Sequence, residues 1–208
     1  MLQSPGSRLI AAWQGSVVAP GPAEGASGVD VALVRQMADG NEIALERLYD
    51  RHAPTLLGYL IELTGDRLEA EEVLQDTMVA AWKSARAFAG RSQVRTWLFG
   101  IARRRLRDGR RRRILERAQD TELGDLDGDE SSPEHTALVR AELADLTTLI
   151  ASLGALQREV LALAFVHELS YAEMADVLEV SVGTVKSRLS NARRALQTLL
   201  AEREEATQ

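Results

Sequence analysis

The chain has 208 residues, 45% hydrophobic and 27% charged, with a formal net charge of −6 and no cysteine. That length allows one or two domains, and the missing cysteine excludes disulfides, thiolate metal sites and thiol redox switching. No apolar run reaches the ~18 residues of a membrane span. The first residues, with Pro5 and Gly6 ahead of a short Leu9–Trp13 patch, make a poor signal peptide, so a cytoplasmic protein without membrane insertion of its own is expected. Aromatics are only 4%, and a chain built mostly of Ala, Leu, Val, Arg and Glu favours small all-α cores over sheets.

Residues 1–29, rich in Gly, Pro, Ala and Ser, predict a mobile extension with no assigned function. Asp30 is expected to cap a helix from Val31 to Asp39, stopped by Gly40. Asn41 caps the next, which holds Ile43, Leu45, Leu48 and Tyr49 and, past Pro54, Leu56, Leu57, Leu60, Ile61 and Leu63. Pro54 removes a donor and predicts a kink or break near His52 and Ala53. Thr64 and Gly65 end it. Asp66 with Glu69 reads as a capping box. Leu68, Val73, Leu74, Met78, Val79 and Trp82 read as the inner side of the following helix. Its other face carries Glu69, Glu71, Glu72, Gln75 and Asp76, which could be plainly solvated or could dock a basic partner.

Residues 83–91 (KSARAFAGR) break the pattern, and Ser92 is expected to cap a helix with Val94, Trp97, Leu98, Ile101 and Leu106 inside. Arg103, Arg107, Arg110 and Arg111 fall at helical spacing on an outer side. Eleven arginines lie between Arg91 and Arg117, opposed only by Asp108 and Glu116. Such a ridge suits phosphates, because each neutralised phosphate releases counterions. Seven acids and no base follow between Ala118 and Glu134. Residues 114–132 therefore read as an acidic linker between domains.

Pro133 suits a first helical position after Ser132. The helix it opens holds Leu138, Val139, Leu143, Leu146, Leu149 and Ile150, and ends near Gly154. Another, from Leu156 to about His167, buries Val160, Leu161, Leu163 and Ala164. Ser170 with Glu173 is a second capping box, and Leu169 with Met174 a hydrophobic staple, opening a short helix to Leu178. After a turn at 179–181, Ser181 caps a longer helix with an apolar stripe of Val182, Val185, Leu189, Ala192, Leu196 and Leu199. Gly183, Thr184, Ser187, Ser190, Asn191 and Arg194 lie near the opposite face, flanked by Lys186 and Arg188. This is a helix-turn-helix pattern, whose second helix would enter a DNA major groove. An ordinary helical hairpin with a solvated face would show the same periodicity. The final residues, 202–208, are expected to fray.

Two motif blocks now stand in order: DRLEAEEVLQDTMVAAW (66–82) with FAGRSQVRTWLFGIARRRLRD (88–108), then LGALQREVLALAFVHELSYAEMADVLEVSVGTVKSRLSNARRAL (153–196). Together they resemble the extracytoplasmic-function sigma factors of the sigma-70 family, over about Val31 to Arg203. The resemblance implies two helical bundles joined by the acidic linker. Residues 30–113 correspond to the domain that binds core RNA polymerase and melts the promoter −10 element. Residues 133–203 correspond to the domain that reads the −35 element, and 204–208 form a tail. It places Glu72, Gln75 and Asp76 on the polymerase-docking face. Phe88, Arg91 and Ser92 fall in the loop that captures a flipped base, an extrusion that costs a few kcal/mol. Trp97 is assigned to packing. Arg103, Arg104, Arg107 and Arg111 fall on the −10-reading helix. Thr184, Lys186, Ser187, Arg188, Asn191 and Arg194 fall on the −35-reading helix. One departure is Arg104, where the family often has Asn. Arg can bind guanine or phosphate where Asn pairs with adenine, so the −10 preference does not carry over.

The resemblance further implies core RNA polymerase, promoter DNA and an anti-sigma factor as partners. A stand-alone helix-turn-helix regulator would explain 155–200 equally well, but leaves 69–113 without a role. An enzyme fits least: His52, His135 and His167 are scattered, and no HExxH, P-loop or nucleophile motif is present, so no cofactor or metal is expected.

Overall fold

The computed structural model describes residues 24–120 and 152–206. The expected helix 133–153 and most of the acidic linker lie outside the described residues. The chain divides into two compact units; among the described residues one holds 24–120 with 175–179 and the other 152–174 with 180–206. Among the described residues all regular structure is helical.

The first unit holds α1 (Glu24–Ala38), α2 (Glu42–Thr64), α3 (Arg67–Ser84), a single 3₁₀ turn (Ala85–Ala87) and α4 (Val94–Asp120). α2 packs against both α1 and α3, and α3 against α4. The shared core is Leu33, Val34 and Met37 of α1, Leu48, Leu56 and Leu60 of α2, Leu74 and Met78 of α3, and Leu98, Ala102 and Leu106 of α4, all buried. Tyr59 and Phe99 close it with ring centroids 4.8 Å apart and planes tilted by 51°, an arrangement aromatic quadrupoles favour.

Several boundaries differ from the sequence expectations, each for a local reason. α1 begins at Glu24, so Asp30 lies inside the helix and caps nothing. It is buried, and its carboxylate takes Arg51 Nε at 2.7 Å and His52 Nε2 at 2.9 Å. A buried charge persists only when paired in this way. α2 is not broken at Pro54, which sits inside the continuous helix Glu42–Thr64. Ala53 and Leu56 are buried on either side of it, and tertiary packing outweighs one missing donor. Asn41 caps α2 as expected, accepting from Ile43 and Ala44 N–H. Gly65 closes it with φ 71°, its N–H bonded to the Ile61 carbonyl, a conformation glycine adopts without strain.

Asp66 caps α3 through the Leu68 and Glu69 amides, but the return half of the box is missing. The Asp66 N–H goes instead to Thr64 Oγ1 at 3.2 Å, and Glu69 turns elsewhere. α4 starts at Val94, and the Trp97 N–H bonds the Gln93 carbonyl, so Gln93 rather than Ser92 precedes the helix. α4 also runs to Asp120, past the expected linker start at 114. Leu68, Val79 and Val182, expected on inner faces, are exposed.

The second unit holds α5 (Ala155–Leu161), a π-helical turn (Ala162–Val166), the start of α6 (Tyr171–Leu178) and α7 (Val182–Ala206). α5 packs on α7, burying Val160, Leu161 and Leu163 as well as Val185, Leu189, Ala192 and Leu196. α5 opens at Gly154, whose N–H bonds Gln157 Oε1 at 3.1 Å. The π turn widens the backbone: the His167 N–H reaches the Ala162 carbonyl at 3.0 Å, and Leu169 N–H reaches Leu163 at 2.9 Å. α7 stays helical through Ala206, beyond the expected fraying point.

Candidate nucleic-acid interface

The helix-turn-helix forms for the reasons its sequence states. Glu173 Oε2 accepts the Ser170 N–H at 2.9 Å, and Ser170 Oγ accepts the Glu173 N–H at 3.3 Å. This reciprocal box starts α6 over the buried pair Leu169 and Met174. Glu179 takes φ 55° in the turn. Ser181 Oγ then accepts the Thr184 N–H at 3.1 Å, and its carbonyl accepts from Val185 N at 3.1 Å.

With Val185, Leu189, Ala192 and Leu196 buried, the opposite side of α7 is fixed. Gly183, Lys186, Ser187, Ser190, Asn191 and Arg194 are exposed there, with Thr184 and Arg188 half-buried beside them. A Cβ at Gly183 would meet only Ser181 Oγ at 3.6 Å. The fold therefore does not require glycine there, and its small size keeps the start of the outer face flat. Arg194 Nη2 donates to Asn191 Oδ1 at 3.0 Å. That bond leaves the Asn191 amide hydrogens and the remaining guanidinium hydrogens as donors. Lys186 Nζ stands 5.7 Å from the Tyr171 ring, so α6 steers its stem. Arg193, by contrast, lies over the Phe165 ring at 5.7 Å and serves packing.

In the first unit the segment between α3 and α4 is anchored at both ends. Arg86 Nε donates to the Ala38 carbonyl at 2.9 Å. Phe88 packs on Trp97, centroids 4.9 Å apart and tilted by 45°. Trp97 is thus a support, as expected, and the half-buried Phe88 ring has one face taken by it. Arg91 is exposed and Ser92 half-buried beside Gly90, whose φ is 67°.

The arginines of α4 do not act alike. Arg104, Arg107 and Arg111 recur at i, i+3 and i+7 and are exposed, whereas Arg103 is half-buried. Arg104 Nε bonds back to the Gly100 carbonyl at 3.2 Å. Arg110, expected on the outer ridge, is turned inward: its Nη2 donates to the Leu63 carbonyl at 2.7 Å.

On α3 the residues Glu72, Gln75 and Asp76 are exposed and have no hydrogen-bond partner among the described residues. Leu68 and Val79, 72% and 50% exposed, extend the same stripe at both ends. The sequence reading missed them because both are apolar and were assigned inward. Their spacing to Glu72 and Asp76, four and three residues, was the available signal. Among the described residues no cluster of acids and histidines is arranged to hold a metal, and no helix is long and apolar enough to cross a membrane.

Comparison with known proteins agrees with this layout. Residues 48–114 match the Sigma-70 region 2 family and residues 143–196 match Sigma-70, region 4. The RNA polymerase sigma factor NccH of Alcaligenes xylosoxydans xylosoxydans is 33% identical over 176 residues, covering 83% of this chain and 95% of that one. The ECF RNA polymerase sigma factor SigL of Mycobacterium tuberculosis is 34% identical over 175 residues, covering 83% and 97%. The solved structure of the sigma factor RpoE with the anti-sigma factor NepR from Bartonella quintana aligns with TM-score 0.61 at 30% identity, covering 75% of this chain and 96% of RpoE. Two family regions in order, and relatives matched over nearly their whole length, place the chain among the extracytoplasmic-function RNA polymerase sigma factors of the sigma-70 family.

Proposed function

We propose that the chain binds core RNA polymerase through α3 and directs it to promoters read by α4 and α7. The observation that carries this reading is a set of outward polar faces on helices whose opposite faces are buried in cores. On α3 that face is Glu72, Gln75 and Asp76 with Leu68 and Val79 at its ends, a mixed acidic and apolar stripe suited to a basic helical partner. On α7 it is Thr184, Lys186, Ser187, Arg188, Asn191 and Arg194, assigned to the −35 element. On α4 Arg104, Arg107 and Arg111 are assigned to the −10 strand backbone and bases, with Arg103 beside them. Phe88, Arg91 and Ser92 are assigned to the extruded base.

The chain supplies recognition and contains no assigned catalytic group; bond formation belongs to the polymerase. It acts in the cytoplasm, where polymerase and DNA are. The net charge of −6 keeps affinity for bare DNA low, so binding is expected to depend on polymerase. Linked weak modules gain affinity when a partner sets their spacing. RpoE was solved with an anti-sigma factor, and an anti-sigma factor that covers these faces is proposed here too.

The test is transcription from a genomic promoter library with purified protein and sigma-free bacterial core polymerase. New starts that share two upstream motifs at fixed spacing are expected. Specific DNA binding without polymerase, and no new starts, would overturn the reading in favour of a stand-alone regulator.

A further inference from the structure

Arg110 and Arg113 lie near the distal end of α4, and both turn back onto the bundle. Arg110 Nη2 donates to the Leu63 carbonyl at 2.7 Å, and its Nε stands 3.9 Å from Glu69 Oε1. Arg113 Nη2 donates to the same Glu69 oxygen. The Glu69 side chain is only 15% exposed, whereas both arginines remain about half exposed. Three elements meet here: the last turn of α2, the first turn of α3 and the distal part of α4. The last turn of α2 leaves carbonyls without helical donors and carries the negative end of its dipole, which favours a cation. The first turn of α3 favours the Glu69 carboxylate for the opposite reason. The two guanidinium groups link both ends.

We propose that Glu69 is a positioning residue that sorts the arginine block. It draws Arg110 and Arg113 to the bundle and leaves Arg104, Arg107 and Arg111 exposed for the DNA-facing ridge, the first two within 3.7 and 3.4 Å of Glu179. This rests on the reading of α4 as DNA-facing. Residues 110–113 are four consecutive arginines, and like charges at i, i+3 destabilise a helix. Glu69 offsets that repulsion where α4 extends past Leu106, the last buried residue of that helix among the described side chains. Glu69 also sits three residues before Glu72 on α3. The helix assigned to the polymerase therefore also sets the geometry of the helix assigned to DNA.

The experiment uses the full chain, with Glu69→Gln and Arg113→Gln compared with the parent protein. Amide hydrogen exchange is followed over 107–115, and the salt dependence of binding to a duplex without promoter sequence is measured. Both variants are expected to lose protection over 107–115 about tenfold or more, with the α2 core unchanged. Glu69→Gln frees Arg113, while Arg110 keeps the Leu63 carbonyl, so the salt slope should steepen by about 1, at ~0.9 per phosphate. Arg113→Gln removes a cation and should not steepen it. Unchanged protection in both variants would overturn the clasp. Lost protection in Glu69→Gln without a steeper slope would overturn the sorting role and leave Glu69 structural. If Arg107→Gln with Arg111→Gln left the slope unchanged, the DNA-facing reading would fall, and the sorting role with it. The exchange data would still report the clasp on its own.

Discussion

Helices α4 and α7 carry the same kind of sequence, basic and polar residues at helical spacing opposite an apolar stripe, yet they use it differently. On α7, among the described residues, the outer polar groups meet near neighbours, as in Arg194 with Asn191 and Thr184 with Ser181, and most stay exposed. On α4 part of the block is consumed within the unit, with Arg110 on the Leu63 carbonyl and Arg113 on Glu69. The difference is what stands beside each helix. α4 passes a helix C-terminus and a shielded acid, and α7 presents its face with no such neighbour among the described residues of its own unit. A basic stripe therefore reports capacity for DNA only after its internal partners are subtracted.

If buried apolar faces hold both helices, the largest losses must come from the cores. Leu98→Ala in α4 and Leu189→Ala in α7 each remove a side chain no more than 2% exposed, so each should cost ~2–5 kcal/mol. Helical circular dichroism in a urea titration reads this. Losses under 1 kcal/mol would mean that the faces, not the cores, keep the helices in place.

An intermediate effect is expected at the other internal polar cluster. Asp30→Ala leaves the Nε2–H of partly buried His52 without its acceptor and Arg51 without its carboxylate. The cost should be ~1–3 kcal/mol, and Asp30→Asn, which keeps an acceptor, should cost less. Equal losses in the two variants would assign the effect to the charge alone.

Arg194→Ala sharpens the contrast from the DNA side. If Arg194 contacts phosphate, polymerase-dependent promoter binding should weaken uniformly across −35 variants and the salt slope should fall by about 1. If it contacts a base, ~1–3 kcal/mol of discrimination should vanish at one position. Arg110→Ala, in contrast, should leave promoter binding nearly unchanged, because that side chain is already engaged with Leu63.

Much of this was legible without coordinates. The caps at Asn41, Ser170 and Ser181, the stop at Gly65, and the inner face Val185, Leu189, Ala192 and Leu196 are local or periodic signals. Local chemistry decides them. What the sequence hid depends on contacts far along the chain. Asp30 looks like a helix cap until Arg51 and His52, 21 and 22 residues away, give it a buried partnership. Glu69 looks like half of a capping box until Arg113, 44 residues on, competes for it. Leu68 and Val79 look like core, since apolar residues on an acidic helix are normally inside. Which of several similar arginines faces outward is a tertiary question that spacing alone does not answer.

The smallest predicted effect separates two opposed forces at His52. Its Nε2 is 2.9 Å from Asp30 Oδ2, which would favour the protonated ring. Burial works the other way, and with help from Arg51 and Arg95 it outweighs Asp30 and lowers the imidazole below its ordinary 6.5. Neutral His52 then donates Nε2–H to Asp30. Between the folded value and 6.5 the unfolded chain binds more protons than the folded one. The contribution of His52 to stability therefore rises with pH through that window, is complete above 6.5, and is lost as pH falls through the folded value. Other carboxylates titrate in the same range, so the measurement is the difference between the parent protein and His52→Gln, which keeps a donor and does not titrate. Urea midpoints taken between about pH 5 and 7 should show the parent gaining on the variant as pH rises. A parent that loses ground instead would mean that the Asp30 carboxylate prevails over burial. The cluster would then be an ion triad rather than a neutral imidazole beside an Arg–Asp pair.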